Sequence, residues 1–211
     1  MSTTPRLIIF DCDGVLVDSE PIFNRVLHRF LCAHGAEFSY GETEALFTGK
    51  NRFAVEDHMK TLGLNLPDDW SDTFYTSAIE TLSREVEPIA GIHSALTQLR
   101  TAKIPMCVAS NGLHAKMLAT LGKTNLLNFF DGKLYSSYDI GAGKPAPDVF
   151  LHAAAEHQTA PADCIVIEDS ASGFQAAQAA KMRCLAYRPK PETNLFGAIP
   201  FHDMALLPTL L

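Results

Sequence analysis

Leu7-Ile-Ile-Phe-Asp-Cys-Asp-Gly-Val-Leu-Val-Asp-Ser-Glu20 opens on four consecutive apolar residues, Leu7 to Phe10. A short unbroken apolar run of this kind marks a strand buried on both faces. The run stops at two aspartates, Asp11 and Asp13, and then Gly14. Two carboxylates at the end of a buried strand lose hydration and repel one another, and a divalent cation offsets both costs. In an open parallel sheet, ligands sit outside the carboxyl ends of the strands, where Asp11 and Asp13 would fall. A lone Asp-x-Asp is also an ordinary polar turn, so its meaning depends on what the other strands contribute.

Outward from this stretch the texture changes twice. Phe23, Val26, Leu27, Phe30 and Leu31 recur at helical spacing, with Gly35 as a stop signal. A short helix follows near Gly41–Phe47, and Asn51 is placed to cap another through Val55, Met59 and Leu62 to Gly63. Pro67 is expected to open a helix carrying the stripe Trp70, Phe74, Ala78, Leu82 and Val86. Residues 19–85 thus read as a small helical module inserted after the first strand. From Pro88 onward helices alternate with apolar runs. Ile92, Leu96 and Leu99 mark a helix, Pro105–Ala109 a strand, and Lys116–Leu121 a helix ended by Gly122. Lys133–Ser136 is a weak strand, Gly141–Pro147 a Gly- and Pro-rich loop, and Asp148–His157 a helix. Cys164–Ile167 is a strand, Ala171–Met182 a helix and Arg183–Tyr187 a fifth strand. That alternation implies βαβ units and a parallel sheet covered on both faces, built from residues 1–18 and 86–211.

Several strands end in chemically capable residues. The first delivers Asp11 and Asp13, the second Ser110 and Asn111, the fourth Glu168 and Asp169, and Lys144 follows the third. A doubly wound sheet would turn all of these toward one crevice. Carboxylates with a hard cation suit Mg2+, while Lys144 and Ser110 would address phosphate oxygens. The formal net charge of −7 argues against a nucleic-acid or anionic-membrane partner, leaving a small anionic substrate held at a local basic patch. Five widely spaced cysteines without a C-x-x-C pair point to a reducing cytosol without disulfides. No signal peptide or membrane-length apolar run is apparent, and a cytoplasmic monomer is expected.

Taken together, Asp11-Cys-Asp13-Gly-Val, Ser110, Lys144 and Glu168-Asp169 resemble, in order, the four motifs of the haloacid dehalogenase superfamily. Asp18-Ser19-Glu20, Gly143-Lys-Pro-Ala-Pro147 and Glu168-Asp-Ser-Ala-Ser-Gly173 are similar to the branch that contains β-phosphoglucomutase and small sugar phosphatases. Residues 105–140 are most similar to bacterial 6-phosphogluconate phosphatases. The resemblance implies a Rossmann-like doubly wound parallel core with an inserted helical cap domain. It also implies a Mg2+-dependent phosphatase for a sugar phosphate or phosphorylated sugar acid. In that reading Asp11 is the nucleophile that forms an aspartyl-phosphate, and Asp13 is the general acid and base. The metal is held by Asp11, the Asp13 carbonyl and Asp169, with Glu168 as ligand or supporting partner. Ser110, Asn111 and Lys144 address the phosphate, while Lys50 and Arg52 of the cap address the far end of the substrate.

Two alternatives accompany that expectation. The mutases carry a cap histidine twelve residues after the nucleophile, where this chain has Phe23, so hydrolysis is favoured. A non-catalytic binder of phosphorylated metabolites would have no need of the complete motif set. Relatives also often have Gly where this chain has Lys181, and a left-handed residue there would cost about 1 kcal/mol.

Overall fold

The computed structural model describes residues 5–48 and 52–211. The chain divides into two compact units, one made of the residues up to Asp18 with Glu87–Leu211, the other of Ser19–Val86.

The larger unit is a six-stranded, wholly parallel sheet. Its strands are β1 (Leu7–Phe10), β2 (Met106–Ser110), β3 (Leu134–Ser136), β4 (Cys164–Glu168), β5 (Arg183–Tyr187) and β6 (Ile199–Phe201). Their spatial order is β3-β2-β1-β4-β5-β6. β1 lies at the centre, with Phe10 opposite Val108 on one side and Ile167 on the other. All four of its residues are fully buried, which is why the run is apolar without alternation. Strand order reverses between β1 and β4, and that switch point opens a crevice at the carboxyl ends. Beneath it, one face of the sheet buries Leu7, Ile9, Cys107, Val166 and Cys184 against Val149, Phe150, Phe174 and Ala177.

Helices of the smaller unit are α1 (Glu20–Ala33), α2 (Tyr40–Phe47), α3 (Arg52–Thr61) and α4 (Trp70–Glu85). Those of the larger unit are α5 (Ile92–Thr101), α6 (His114–Lys123), α7 (Ser137–Ile140), α8 (Asp148–Glu156) and α9 (Ala171–Ala179). In the smaller unit Leu27, Leu31, Phe47, Met59, Trp70 and Phe74 pack into a core of their own. Ser39 caps α2 reciprocally with Glu42, satisfying two orphan N–H groups. The two chain ends of the larger unit that flank this insertion are paired with each other. Asp18 donates its N–H to Glu87 O at 3.0 Å, and Ile89 donates to Leu16 O at 3.0 Å.

Some boundaries differ from the sequence reading. Gly122 lies inside α6, and the stop is supplied by Asn125, left-handed at φ 58°. Pro67 precedes α4 by a turn, accepting from Trp70 N at 3.0 Å. The short helix α7 and the strand β6 have no counterpart in the sequence reading. β6 is three residues long with Pro200 in its middle, a pattern tolerated only at a sheet edge. Lys181 is left-handed at φ 59°, the conformation in which a side chain is strained. Cys12, Cys107, Cys164 and Cys184 are buried free thiols, and Cys32 is exposed. No helix among the described residues is long and apolar enough to cross a membrane.

Candidate active site

The site grows out of the strand ends on either side of the switch point. Asp11 extends the ladder one residue past β1 by donating its N–H to Ile167 O at 2.9 Å, which seats it between β1 and β4. Gly14 then turns the chain at φ 78°, with its N–H bonded to Val17 O at 2.9 Å. A Cβ at Gly14 would overlap the Asp169 carboxylate, so the bare backbone is what admits Asp169 beside the Asp11–Asp13 loop.

Glu168 ends β4 almost wholly buried, and both its oxygens are engaged. Oε1 accepts from Lys144 Nζ at 2.7 Å. Oε2 accepts from Asp169 N at 2.8 Å, Ser170 N at 2.8 Å and Ser170 Oγ at 2.9 Å. Ser170 Oγ also caps α9, accepting from Gly173 N at 3.1 Å. A Cβ on Gly173 would overlap the Glu168 carboxylate, so this glycine is required by close approach.

Lys144 binds Asp11 Oδ1 at 2.5 Å as well as Glu168. Its ammonium therefore bridges the two carboxylates on either side of the switch point, 4.7 Å from the centre of the Phe150 ring. Burial pushes the Asp11 carboxyl up to about 7; Lys144 pulls it down, and the Glu168 and Asp13 carboxylates add to the rise. Burial works in the opposite direction on Lys144, but Asp11 and Glu168 outweigh it and hold the ammonium well above its ordinary value.

Asn111 holds the loop that delivers Lys144. Its Oδ1 accepts from Lys144 N at 2.8 Å and its Nδ2 donates to Lys144 O at 3.2 Å. The side-chain amide is thus occupied with the lysine's backbone. Ser110 is buried at the end of β2, and its Oγ accepts from Gly112 N at 2.9 Å. A Cβ on Gly112 would stand 3.3 Å from Ser110 Oγ and 3.4 Å from Asp13 Oδ2, so both atoms lie close to the bare Gly112 backbone.

Within the larger unit the fold therefore gathers Asp11, Asp13, Ser110, Asn111, Lys144, Glu168 and Asp169. Lys50 lies outside the described residues, as does the side chain of Arg52, whose backbone begins α3. The sequence reading missed Lys116, which binds Asp13 Oδ1 at 2.8 Å. The available signal was its helical position: Lys116 shares the buried side of α6 with Met117, Thr120 and Leu121, where a lysine needs a partner.

Among the described residues of the site, Asp11, Asp13, Glu168 and Asp169 face two ammonium groups, those of Lys144 and Lys116. No three His, Cys, Asp or Glu side chains among the described residues form a metal cage by themselves. That donor set fits Mg2+, which takes one or two carboxylates and keeps several waters. A divalent ion would also balance the excess of carboxylates and favour ionised Asp11 despite its burial.

A family model described as haloacid dehalogenase-like hydrolase matches residues 5–181. The chain is 33% identical to the 6-phosphogluconate phosphatase of Escherichia coli K12, across 89% of this chain and 84% of that protein. It is 31% identical to a probable pseudouridine-5'-phosphatase of Drosophila melanogaster, across 83% and 78%. A crystal structure of a haloacid dehalogenase-like protein of unknown function from Agrobacterium tumefaciens superposes with TM-score 0.82 at 34% identity, covering 97% of this chain and 96% of that one. A putative β-phosphoglucomutase from Thermotoga maritima, at 21% identity and TM-score 0.80 over 97% of each chain, shares the fold. The chain belongs to the haloacid dehalogenase-like hydrolases, and with phosphatases among its relatives it is a phosphoric monoester hydrolase.

Proposed function

We propose that this enzyme is a Mg2+-dependent phosphatase for a small phosphorylated sugar or sugar acid, working through an aspartyl-phosphate on Asp11. The observation that carries the reading is the bridge Asp11–Lys144–Glu168 across the switch point, with Asp13 two residues from the nucleophile. An Asp11 carboxylate oxygen attacks phosphorus, and the bond from phosphorus to the substrate's ester oxygen breaks. Asp13 passes a proton to that oxygen as it departs. Water then attacks the phosphorus and gives a proton to Asp13. The bond between phosphorus and Asp11 breaks, which releases phosphate and restores the carboxylate.

The remaining residues position and balance charge, which is most of what phosphoryl transfer asks of a protein. Lys144 stands beside Asp11 and meets the phosphoryl oxygens. Ser110 offers a hydroxyl that, like Asp13 Oδ2, lies close to Gly112. Glu168, with both oxygens committed, serves as the anchor of Lys144 and of the Asp169–Ser170 turn rather than as a metal ligand. Asp11, the Asp13 carbonyl and Asp169 would hold Mg2+, which when bound neutralises the developing phosphoryl charge. Asn111 acts through the Lys144 backbone.

Residues 19–85 serve as a cap that selects substrates, with Lys50 and Arg52 gripping the end remote from the phosphate. A guanidinium pairs a carboxylate in two-point fashion, which favours a sugar acid such as 6-phosphogluconate. The similarity to a 6-phosphogluconate phosphatase supports that choice. The test is phosphate release from a panel of sugar and sugar-acid phosphates, with and without Mg2+, on wild type, Asp11→Asn and Arg52→Ala. Asp11→Asn should abolish turnover, and substantial retained activity would falsify the nucleophile assignment. Arg52→Ala should lose more on sugar acids than on neutral sugars; equal losses reject the carboxylate grip.

A further inference from the structure

We propose that Lys116 is a positioning residue for the proton transfer, holding the Asp13 carboxylate in the one rotamer that reaches the departing oxygen. The inference rests on the phosphatase reading above and adds to it a residue outside the four motifs.

Asp13 stands beyond the end of β1, on the loop that Gly14 turns. Its contact with Lys116 Nζ, at 2.8 Å to Oδ1, comes from another element, the first turn of α6. The lysine is itself well placed to act as a fixed point. Its side chain is only 11% exposed, against 24% for Asp13, and it is anchored among the buried residues of α6. Burial alone would lower its ammonium, but the Asp13 carboxylate outweighs that and raises it, so Lys116 stays charged. The second Asp13 oxygen, Oδ2, lies close to Gly112, as does Ser110 Oγ.

A buried lysine is costly to desolvate, and α6 could bury Leu or Met at this position more cheaply. What the ammonium adds is direction. An aspartate on a turn samples several rotamers, and a general acid must lie within hydrogen-bond reach of the oxygen it protonates. Lys144 forms the matching arrangement on Asp11. Each of the two reacting carboxylates thus has its own lysine, drawn from a different loop or helix.

The test compares kcat/KM on an alkyl phosphate and on p-nitrophenyl phosphate, because that ratio reports steps only up to departure of the leaving group. Nitrophenolate leaves without a proton, so a residue acting through Asp13 matters little for it. Lys116→Met should lower kcat/KM on the alkyl ester by about 10- to 100-fold, the range expected for a small misplacement of a reacting group. On the aryl ester the loss should stay below about threefold, and Lys116→Arg should recover most of the alkyl activity. In an Asp13→Asn background, Lys116→Met should cost less than about twofold more, since coupled residues are not additive. Equal losses on both esters, no loss on either, or full additivity in that background would each overturn the proposal. If Lys116→Met does not fold, the same comparison is read on Lys116→Gln. A wild-type protein that releases phosphate from neither ester would refute the phosphatase reading itself. An active wild type with an unselective Lys116→Met would refute only the role of Lys116.

Discussion

Replacing Gly173 by Ala should destabilise the protein, although helix propensity alone predicts the reverse. Gly173 lies in the first turn of α9, where Ala would be favoured by about 0.5–1 kcal/mol. The added methyl, however, would occupy the space of the Glu168 carboxylate. That carboxylate is 1% exposed, so it cannot move aside into water. To make room it must give up bonds to Asp169 N, Ser170 N, Ser170 Oγ or Lys144 Nζ. Hydrogen bonds to charged groups contribute about 1.5–3 kcal/mol each, so losing two and gaining the propensity leaves a net loss of about 2–5 kcal/mol. For a chain of this size about 2–4 °C of Tm corresponds to each kcal/mol, giving a fall of about 4–20 °C in a thermal melt followed by circular dichroism. Phosphate release should fall with it, because Lys144 loses one of its two anchors. Gly122→Ala is the internal control. It sits in α6 with no atom within 4 Å of the new methyl, so it should raise Tm slightly. If both variants gain stability, the close approach of Gly173 to Glu168 has no energetic weight and the reasoning fails.

Asn111→Ala should keep the fold and lower kcat about tenfold, because the Lys144 backbone loses both contacts to the amide; unchanged kcat would mean the loop holds Lys144 unaided. Chelation of Mg2+ should stop phosphate release and re-addition should restore it, whereas turnover indifferent to chelator would reject the metal assignment. Iodoacetamide should label Cys32 first. Burial raises the thiols of Cys12, Cys107, Cys164 and Cys184 and withholds them from reagent, so early labelling of Cys107 in a peptide map would contradict the packing.

The central sheet was legible in the chain because its strands are buried on both faces and therefore apolar without alternation. Leu7–Phe10, Met106–Ala109 and Cys164–Ile167 stand out for that reason alone. β6 does not, because a short edge strand needs no apolar pattern and this one contains a proline. Asp11, Asp13, Ser110, Lys144, Glu168 and Asp169 could be nominated from their places at or after strand ends, since a parallel sheet sends every carboxyl end to one side. Their residue types suggested charge balance around a phosphate and a metal.

What the sequence could not contain was the assignment of partners. Glu168 and Asp169 are adjacent carboxylates, yet burial commits both oxygens of Glu168 to Lys144 and the Asp169–Ser170 turn, while Asp169 lies against Gly14. The place of Asn111 at a strand end suggests a phosphate contact, but not that its amide also holds the Lys144 peptide, 33 residues away. Lys116 drew no notice because a single lysine in a helix is ordinary until its partner is known. That partner is 103 residues earlier in the chain, and only the packing of α6 beside the β1 loop brings the two charges to 2.8 Å. Side-chain types and strand ends are local properties, and a sequence displays them directly. Which ammonium meets which carboxylate is a property of distances between remote segments, and only the folded chain sets those distances.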